Sequence, residues 1–423
     1  MRTNYKFLSF IAFLLLLLAE CDNPDTDKIL PGRWHPASDV NRKNLVNDHE
    51  YEKLIGLGYL QGYQKASNES GIGINDAKKT WKGVNLYVSG HSPSACIMDM
   101  NGNTIHQWSY KTASEIWSAP SAAGMPDGAF WRRVHLFPNG DLLAIYEGIA
   151  LIKLDKNSRL LWKLRGKLMA HHDLEVLDNG TIYVLTRQFK KLPSINNERI
   201  LDEHISIVSP QGQLLKSYSL IDMIKRSQYR SLLERQIVKD GGFYGHILHA
   251  NTIEVFDGRR QTESELYKKG NVLVSILMLD LIGIFDLEKQ KLVWTMGGGL
   301  WAKQHQPTLL SNGHMLIFDN KFIRGKQSRV IEFAPFSQHI FWQYGTQPGQ
   351  QFYSETCGSC QRLPNGNTLI TVTDAGNAME VTKNGSVVWQ FTNPHRAGEK
   401  KELIASLFEV IRINPENYGF LPQ

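Results

Sequence analysis

The chain has 423 residues, of which 42% are hydrophobic and 10% aromatic, so it can bury a sizeable core. Its formal net charge of +6 is mild for this length and no long run of Lys or Arg occurs, which argues against nucleic acid as a partner. These values exclude a disordered chain and leave one large domain or two ordinary ones.

The chain begins with a predicted export signal over residues 1–20. Two basic residues precede an apolar run, Phe7 to Ala19, that is too short to span a bilayer comfortably. The run ends before Cys21 in the manner of a bacterial lipoprotein signal, although Glu20 stands where a small residue is usual. We expect an exported protein, periplasmic or in the cell envelope, whose only membrane contact is a lipid on Cys21; ordinary cleavage to a free protein is the alternative.

Residues 21–79 are polar and predict a tether followed by an N-terminal arm that packs on the main domain. One helix is expected there, around Tyr51 to Gln64. From Thr80 onward the sequence becomes repetitive.

One half of each repeat is an inner hairpin, in which two alternating strands flank an Asn-Gly turn. The clearest turns are Asn139-Gly140, Asn179-Gly180, Asn312-Gly313 and Asn365-Gly366. The other half is an outer hairpin that ends in an aromatic residue, and it has six copies. Five end at Trp108, Trp162, Trp294, Trp342 and Trp389, and a weaker one spans Ile205 to Leu215.

Most neighbouring copies lie roughly 50 residues apart, which is the size of a four-stranded propeller blade. Residues 219–241 have helical periodicity and predict a helical insertion between blades three and four. The predicted fold is therefore all-β, a six-bladed β-propeller over residues 80–423. A pair of β-sandwiches is the alternative, but it does not explain six copies of one unit.

Alignment of the inner hairpins on their turns places polar residues in one register. Seven residues before the turn asparagines stand Arg132, His172 and His305, and the fourth repeat contributes Asn251. His249 lies two residues before Asn251 and should face the same way, since a strand repeats every two residues. His171 has the opposite parity, so we expect it to pack elsewhere or face solvent.

The innermost strands of a propeller line its central channel, so these side chains should meet near one channel mouth. A neutral imidazole there could act as a nucleophile or carry protons, and cations and amides would stabilise a transferred anionic group. Three imidazoles could equally bind a metal ion such as zinc.

His171-His172-Asp173-Leu174, His249-Ala250-Asn251-Thr252-Ile253 and Gln304-His305, followed by Phe318-Asp319-Asn320, resemble the three histidine motifs of the arylsulfotransferase propellers. The resemblance covers roughly residues 80 to 423. It implies sulfuryl transfer from an aryl sulfate to a phenol through a sulfohistidine, without 3′-phosphoadenylyl sulfate, any other cofactor or a metal. It also implies that His305 is the nucleophile and that His172 and His249 bind the sulfuryl oxygens and exchange protons.

The sequence departs from the family at one cation. The family has an arginine in the strand after the second histidine, where Leu277 stands here. Arg132 is the candidate substitute, and Asn251 is a second candidate for substrate binding. This departure keeps a catalytically silent propeller that binds an anionic or aromatic ligand as an alternative function, beside the three-histidine metal site.

Cys357 and Cys360 form a close pair that could close a small disulfide. A strand rather than a helix follows them, so a structural pair or two idle thiols is favoured over a redox site.

Overall fold

The computed structural model describes residues 61–111, 130–164, 168–192, 196–234, 247–323, 327–398 and 400–422. The predicted signal, Cys21 and most of the predicted arm lie outside these residues. The described chain is all-β, as predicted, and consists mainly of small antiparallel sheets.

Six sheets share one plan, in which four strands follow each other as antiparallel neighbours. The first sheet contains β3 (Val84–Ser89), β4 (Ser94–Met98), β5 (Thr104–Ser109) and β28 (Leu407–Ile413). The second contains β6 (Trp131–Leu136), β7 (Leu142–Tyr146), β8 (Ala150–Leu154) and β9 (Leu160–Leu164). The third contains β10 (Met169–Val176), β11 (Ile182–Leu192), β12 (Asn196–Val208) and β13 (Leu214–Ser219).

The remaining three sheets repeat this plan. The fourth contains β14 (Ala250–Val255), β15 (Val272–Ile276), β16 (Leu281–Asp286) and β17 (Lys291–Gly297). The fifth contains β18 (His305–Leu309), β19 (Met315–Ile323), β20 (Gln327–Phe333) and β21 (Ile340–Tyr344). The sixth contains β22 (Ser359–Arg362), β23 (Thr368–Val372), β24 (Asn377–Val381), β25 (Val387–Thr392) and, at its outer edge, β2 (Gly71–Asn75). A small separate sheet contains β1 (Gly62–Lys65), β26 (Arg396–Ala397) and β27 (Leu403–Ala405).

The helix expected around Tyr51 to Gln64 is wrong in the part that the structure describes, because Gly62–Lys65 is a strand paired with β27. The predicted hairpins are confirmed: the four Asn-Gly turns connect leading strands to second strands, and their glycines have φ between 80° and 89°. Only glycine adopts such angles readily, which fixes these turns.

The first sheet takes its leading strand from the far end of the chain. β28 pairs with β3, so residues near the C-terminus complete the sheet that the first described repeat begins. Each leading strand contacts the leading strand of the next sheet, in the order β28, β6, β10, β14, β18, β22, and β22 contacts β28 again.

The repeated tryptophans join neighbouring sheets. Each of the five sits on an outer strand, and four of them donate the indole N–H to a carbonyl oxygen of the following sheet. The pairs are Trp108 to Gly140 (3.1 Å), Trp162 to Pro210 (3.0 Å), Trp342 to Lys383 (2.9 Å) and Trp389 to Met100 (3.1 Å). The last pair joins the sixth sheet to the first. A hydrogen-bonded indole N–H explains why tryptophan suits this position.

The hydrophobic core lies between adjacent sheets. Phe318 and Val330 of the fifth sheet, for example, pack in one cluster with Ile370 and Val372 of the sixth. At the sheet interiors, Arg133 of β6 forms ion pairs with Asp173 of β10 (2.8 Å) and with Glu409 of β28.

An α-helix, α1 (Leu220–Lys225), follows the third sheet and begins with Ser219 capping the Asp222 N–H. It falls within the predicted insertion, and its apolar face is buried. Among the described residues, short 3₁₀ helices span Glu265–Tyr267, Leu277–Leu279 and Pro415–Asn417. None of the helices in the described ranges is long and apolar enough to cross a membrane.

Candidate active site

Five of the six leading strands share one irregularity, and Arg132, His172, Asn251 and His305 lie on it or directly beside it. The pairing register shifts at Arg132 in β6, at His172 in β10, at Asn251 in β14, directly after His305 in β18 and at Phe408 in β28. A β-bulge inserts one residue and turns the side chains of its strand in new directions. The register predicted from the turns therefore coincides with a bulge in each of these sheets.

Three residues other than glycine have left-handed backbone in these bulges or next to them. His172, His249 and Gln306 have φ of 54°, 52° and 48°. Such angles cost roughly 1–3 kcal/mol each and concentrate at functional sites. Surrounding hydrogen bonds hold them in place: Glu147 accepts the His172 N–H (2.8 Å), and Thr252 accepts the Gln306 N–H (3.0 Å).

The structure brings His172 and His249 into direct contact. Their Nε2 atoms lie 3.1 Å apart, so one ring donates to the other. His172 Nδ1 lies 2.7 Å from His171 Nδ1 and 3.3 Å from Glu147 Oε1. His171 is fully buried, so the expectation that it packs away from the site or faces solvent is wrong. The bulge interrupts the alternation of the strand, and parity counting fails there.

Burial disfavours the charged forms of His172 and Glu147 in this cluster. It lowers the pKa of His172 well below the usual range, and the neighbouring His249, His171, Arg132 and Arg187 lower it further. Burial also raises the pKa of the Glu147 carboxyl, with the nearby Arg187 guanidinium opposing the rise. Arg187 Nη2 lies 3.9 Å from Glu147 Oε1. Gly148 makes this approach feasible, since a Cβ there would collide with the guanidinium.

His305 is held by a second set of contacts that fixes its tautomer. Asn320 Nδ2 donates to the Ser354 and Cys357 carbonyl oxygens, both at 2.8 Å. The amide oxygen of Asn320 must therefore face His305 Nδ1, at 2.8 Å, and the Lys303 carbonyl oxygen lies 3.1 Å from the same nitrogen. Because both neighbours only accept, Nδ1 carries the proton and Nε2 keeps its lone pair.

His305 Nε2 is buried and has no hydrogen-bond partner among the described residues. Burial lowers the pKa of His305 to about 3, with the Asn320 hydrogen bond opposing the decrease and the charge of Arg132 adding to it. His305 is therefore a neutral base across the physiological range.

Arg132 links the two histidine groups electrostatically, since its charge lowers the pKa of both His172 and His305. The residue is buried, its Nη2 lies 3.6 Å from Cys357 Sγ, and its guanidinium carbon lies 5.4 Å from the centre of the Phe408 ring. Phe408 stacks in turn on Phe130 at 4.5 Å, and Phe130 is partly exposed. A cation and an aromatic surface thus adjoin the histidines.

Asn251 and Leu277 have structural partners. Asn251 Nδ2 donates to the Gln304 carbonyl oxygen (2.9 Å), so it holds the backbone directly before His305. Leu277 is buried at the end of β15, where its N–H donates to the His249 carbonyl oxygen (3.2 Å). An apolar side chain therefore occupies the position at which the family has its arginine.

Glu147, His171 and His172 are the described residues that could share a metal ion, with ligand atoms all within 4.8 Å of one another. This set differs from the three histidines considered from the sequence, because it excludes His249 and His305. Arg187 beside Glu147 opposes a bound cation. The described cysteines, Cys96, Cys357 and Cys360, are buried free thiols.

Several residues of the site were missed from the sequence. Glu147 and Arg187 follow no repeat, so no pattern marked them. Phe408 holds the register position of the first sheet, but its strand is supplied by the chain end. Asn320 had been recognised only as part of the third motif, without a role.

A sequence model of the family described as "Arylsulfotransferase (ASST)" matches residues 133–394, more than half of the chain. The search of curated proteins found no match.

Among solved structures, a protein of unknown function from Bacteroides caccae is similar to this chain with a TM-score of 0.51 and 12% identity. That similarity covers 78% of this chain and 98% of the other, and at this identity it concerns the fold alone. The β-propeller domain of Myceliophthora thermophila Cps50 (Swd1) is more distant, with a TM-score of 0.42 and 10% identity over 80% of this chain and 90% of the domain. The histidine motifs and the match over residues 133–394 identify the family: the chain belongs to the arylsulfotransferases.

Proposed function

We propose that this protein transfers a sulfuryl group from an aryl sulfate to a phenol, with His305 as the nucleophile. The observation that carries the proposal is the fixed tautomer of His305. Two carbonyl oxygens orient Asn320, Asn320 holds the proton on Nδ1, and the buried Nε2 presents a lone pair. A nucleophile must be unprotonated, and the pKa of about 3 satisfies that requirement at neutral pH.

The reaction has two half-reactions. In the first, the Nε2 lone pair attacks sulfur, the bond from sulfur to the aryl oxygen breaks, and the phenoxide leaves with its electron pair. The imidazole then carries the sulfuryl group on Nε2 while Asn320 and Lys303 continue to accept from Nδ1. In the second, an acceptor phenol loses its proton, its oxygen attacks sulfur, and the nitrogen–sulfur bond breaks. The His172–His249 pair is assigned the proton exchange with the phenolic oxygens.

Arg132 is assigned the role of the family cation that Leu277 replaces. Its charge reaches both His172 and His305, and charge develops on the sulfuryl oxygens and leaving oxygen between these groups during transfer. Removing one donor from such a site costs about 2.7–4 kcal/mol in other enzymes. Phe130, stacked on Phe408 beside Arg132, is the nearest candidate surface for an aryl ring.

The fold and the location of the protein are part of the same proposal. The six sheets are proposed as the blades of a six-bladed propeller, closed by β28 on β3, with α1 in an insertion between blades three and four. The order of contacts among the leading strands and the Trp389–Met100 bond support closure. Export through residues 1–20 and lipid attachment at Cys21 are proposed from the apolar run that precedes this cysteine.

The test uses purified protein with 4-nitrophenyl sulfate and a phenol acceptor. We expect nitrophenol release, acceptor sulfation and, without acceptor, a stable sulfohistidine on the peptide that contains His305. His305→Ala should abolish all three. His314→Ala is a matched control, because this half-buried histidine also contacts an amide side chain but lies beside the Asn312-Gly313 turn, with its Nδ1 2.7 Å from Glu332. Absence of wild-type turnover would reject the transferase for that donor, and loss of activity with a chelator would favour a metal at Glu147, His171 and His172.

A further inference from the structure

The segment between β17 and β18, residues 298–304, leads directly into His305. Lys303, near its end, has left-handed backbone with φ of 57°, and its carbonyl oxygen lies 3.1 Å from His305 Nδ1. The Asp280 carboxylate accepts the Lys303 N–H at 2.8 Å and holds this conformation from the side of the fourth sheet. The position of the Lys303 carbonyl oxygen therefore depends on what holds the segment from the side of the fifth sheet.

Ala302, the residue before Lys303, is held by the residue before Asn320. The Asp319 carboxylate of β19 accepts the Ala302 N–H at 3.1 Å. This hydrogen bond joins the immediate neighbours of Lys303 and Asn320, whose oxygens face His305 Nδ1 at 3.1 Å and 2.8 Å. The two acceptors of the nucleophile are thus tied to each other through their neighbours in the chain.

Arg329 of β20 holds both partners of this hydrogen bond in place. Its Nε donates to the second Asp319 oxygen at 2.9 Å, and its Nη2 donates to the Leu300 carbonyl oxygen at 2.8 Å. Asp319 is fully buried and Arg329 is 8% exposed, so water competes little for either group. The planar guanidinium fork suits two such bonds at once, whereas an ammonium group is a single point of charge.

We propose that Asp319 and Arg329 are positioning residues for the nucleophile His305; this rests on the function proposed above. The ion pair keeps the Lys303 carbonyl oxygen beside Asn320, so that acceptors hold Nδ1 from two directions. Because both nitrogens belong to one rigid ring, this also fixes the direction in which the Nε2 lone pair points. Neither Asp319 nor Arg329 takes part in making or breaking bonds.

The effect of the pair should fall on the chemical step. When His305 Nε2 attacks sulfur and the bond from sulfur to the aryl oxygen breaks, the ring gains positive charge while Nδ1 keeps its proton. A hydrogen bond from a charged donor is roughly twice as strong as one between neutral groups, so both acceptors stabilise the transition state more than the ground state. Donor binding leaves the ring neutral and does not depend on this difference.

The experiment separates donor binding from sulfohistidine formation, through the dependence of the single-turnover rate on the concentration of 4-nitrophenyl sulfate. Arg329→Gln removes the guanidinium and both of its bonds. We expect its maximal rate to fall roughly 100-fold, the effect of a displacement of about 1 Å, while the donor Kd stays as in wild type. Arg329→Lys keeps the ion pair but not the bond to Leu300, so its rate should lie between those of Arg329→Gln and wild type.

Arg362→Gln is the matched control. Arg362 also joins a carboxylate to a backbone carbonyl oxygen, with bonds of 2.7 Å to Glu332 and 2.8 Å to Gly366. Both Arg329 and Arg362 also lie over an aromatic ring. The contacts of Arg362 are at the turn of an inner hairpin and not beside His305. Its substitution should lower stability and leave both the rate and the Kd unchanged.

A second measurement does not depend on turnover. Nuclear magnetic resonance of isotopically labelled histidine should show slow exchange of the His305 Nδ1 proton with water in wild type and Arg362→Gln, and faster exchange in Arg329→Gln. A folded Arg329→Gln protein would overturn the proposal if its proton exchange or its rate matched wild type, or if weaker donor binding accounted for the loss.

The remaining outcomes are also decisive. If Arg329→Gln does not fold, Arg329→Lys is judged by the same criteria. If wild type forms no sulfohistidine, the proposed function fails, and the exchange of the Nδ1 proton alone decides whether Asp319 and Arg329 hold the His305 ring.

Discussion

Replacing Asn320 by aspartate should convert the nucleophile into an unreactive cation. The change is nearly isosteric, but the side chain loses its two N–H donors and gains a charge. One carboxylate oxygen would then face the Ser354 and Cys357 carbonyl oxygens at about the present 2.8 Å. Leaving two buried acceptors unsatisfied costs about 1–3 kcal/mol each, so we expect a stability loss of about 2–6 kcal/mol.

The charge acts on His305 across the present 2.8 Å contact between Asn320 Oδ1 and Nδ1. With an effective dielectric constant near 20, two unit charges at that distance attract by about 6 kcal/mol. At pH 7, a pKa of about 3 disfavours protonation of His305 by roughly four factors of ten, or about 5.5 kcal/mol. The two quantities are comparable, so a large fraction of the Asn320→Asp protein should carry a protonated Nε2 that cannot attack sulfur.

The assay is the single-turnover formation of sulfohistidine between pH 5 and 8. Wild type should show no acid decline from its nucleophile in this range, whereas Asn320→Asp should lose activity at neutral pH and recover as the pH rises. Asn393→Asp controls for stability, because Asn393 Nδ2 also makes two buried bonds of 2.8 Å while its oxygen accepts a backbone N–H instead of an imidazole. A folded Asn320→Asp enzyme with the wild-type pH profile would refute the tautomer argument.

Two further predictions test the electrostatics of the site. Arg132→Ala should lower kcat/KM with an aryl sulfate by roughly 100-fold to 1,000-fold. Arg132→Lys should recover part of the lost activity, because a cation is retained without the planar guanidinium. Unchanged turnover in Arg132→Ala would exclude Arg132 as the cation of the site. His305 has a pKa of about 3 in the folded protein and roughly 6.5 in the unfolded chain. As the pH falls through that window, the unfolded chain binds the proton first, so the free energy of unfolding should decrease. Urea unfolding should show at most about 1.4 kcal/mol per pH unit from this group, and His305→Asn should flatten the slope.

The hairpins of the fold could be predicted because the sequence signals that specify them are local. An Asn-Gly pair between alternating strands specifies a hairpin through the φ of its glycine, and the structure has those hairpins at all four positions. The outer tryptophans were recognised as a repeat, but their bond to the next sheet was not. A hydrogen bond such as that from Trp389 to Met100 joins residues far apart in the chain, and no spacing rule reaches that distance.

The leading strand of the first sheet was not predicted for the same reason, because it pairs residues that are far apart in the chain. Its leading strand, Leu407–Ile413, pairs with Val84–Ser89. Counting forward from the first repeat offers no candidate for this strand. Phe408, whose ring lies beside the Arg132 guanidinium, was therefore missed. The register itself was predictable, since Phe408 lies on a bulge like Arg132 and His172.

The bulge also decides which residues the site contains. In a regular strand, His171 and His172 would point to opposite faces, and only one could belong to the site. The left-handed φ of 54° at His172 turns the chain so that the two Nδ1 atoms lie 2.7 Å apart. That conformation is maintained by Glu147, which accepts the His172 N–H and also approaches its ring. The carboxyl group that stabilises the bulge therefore also lies beside the imidazole ring, and neither contact is visible in the spacing of the histidines.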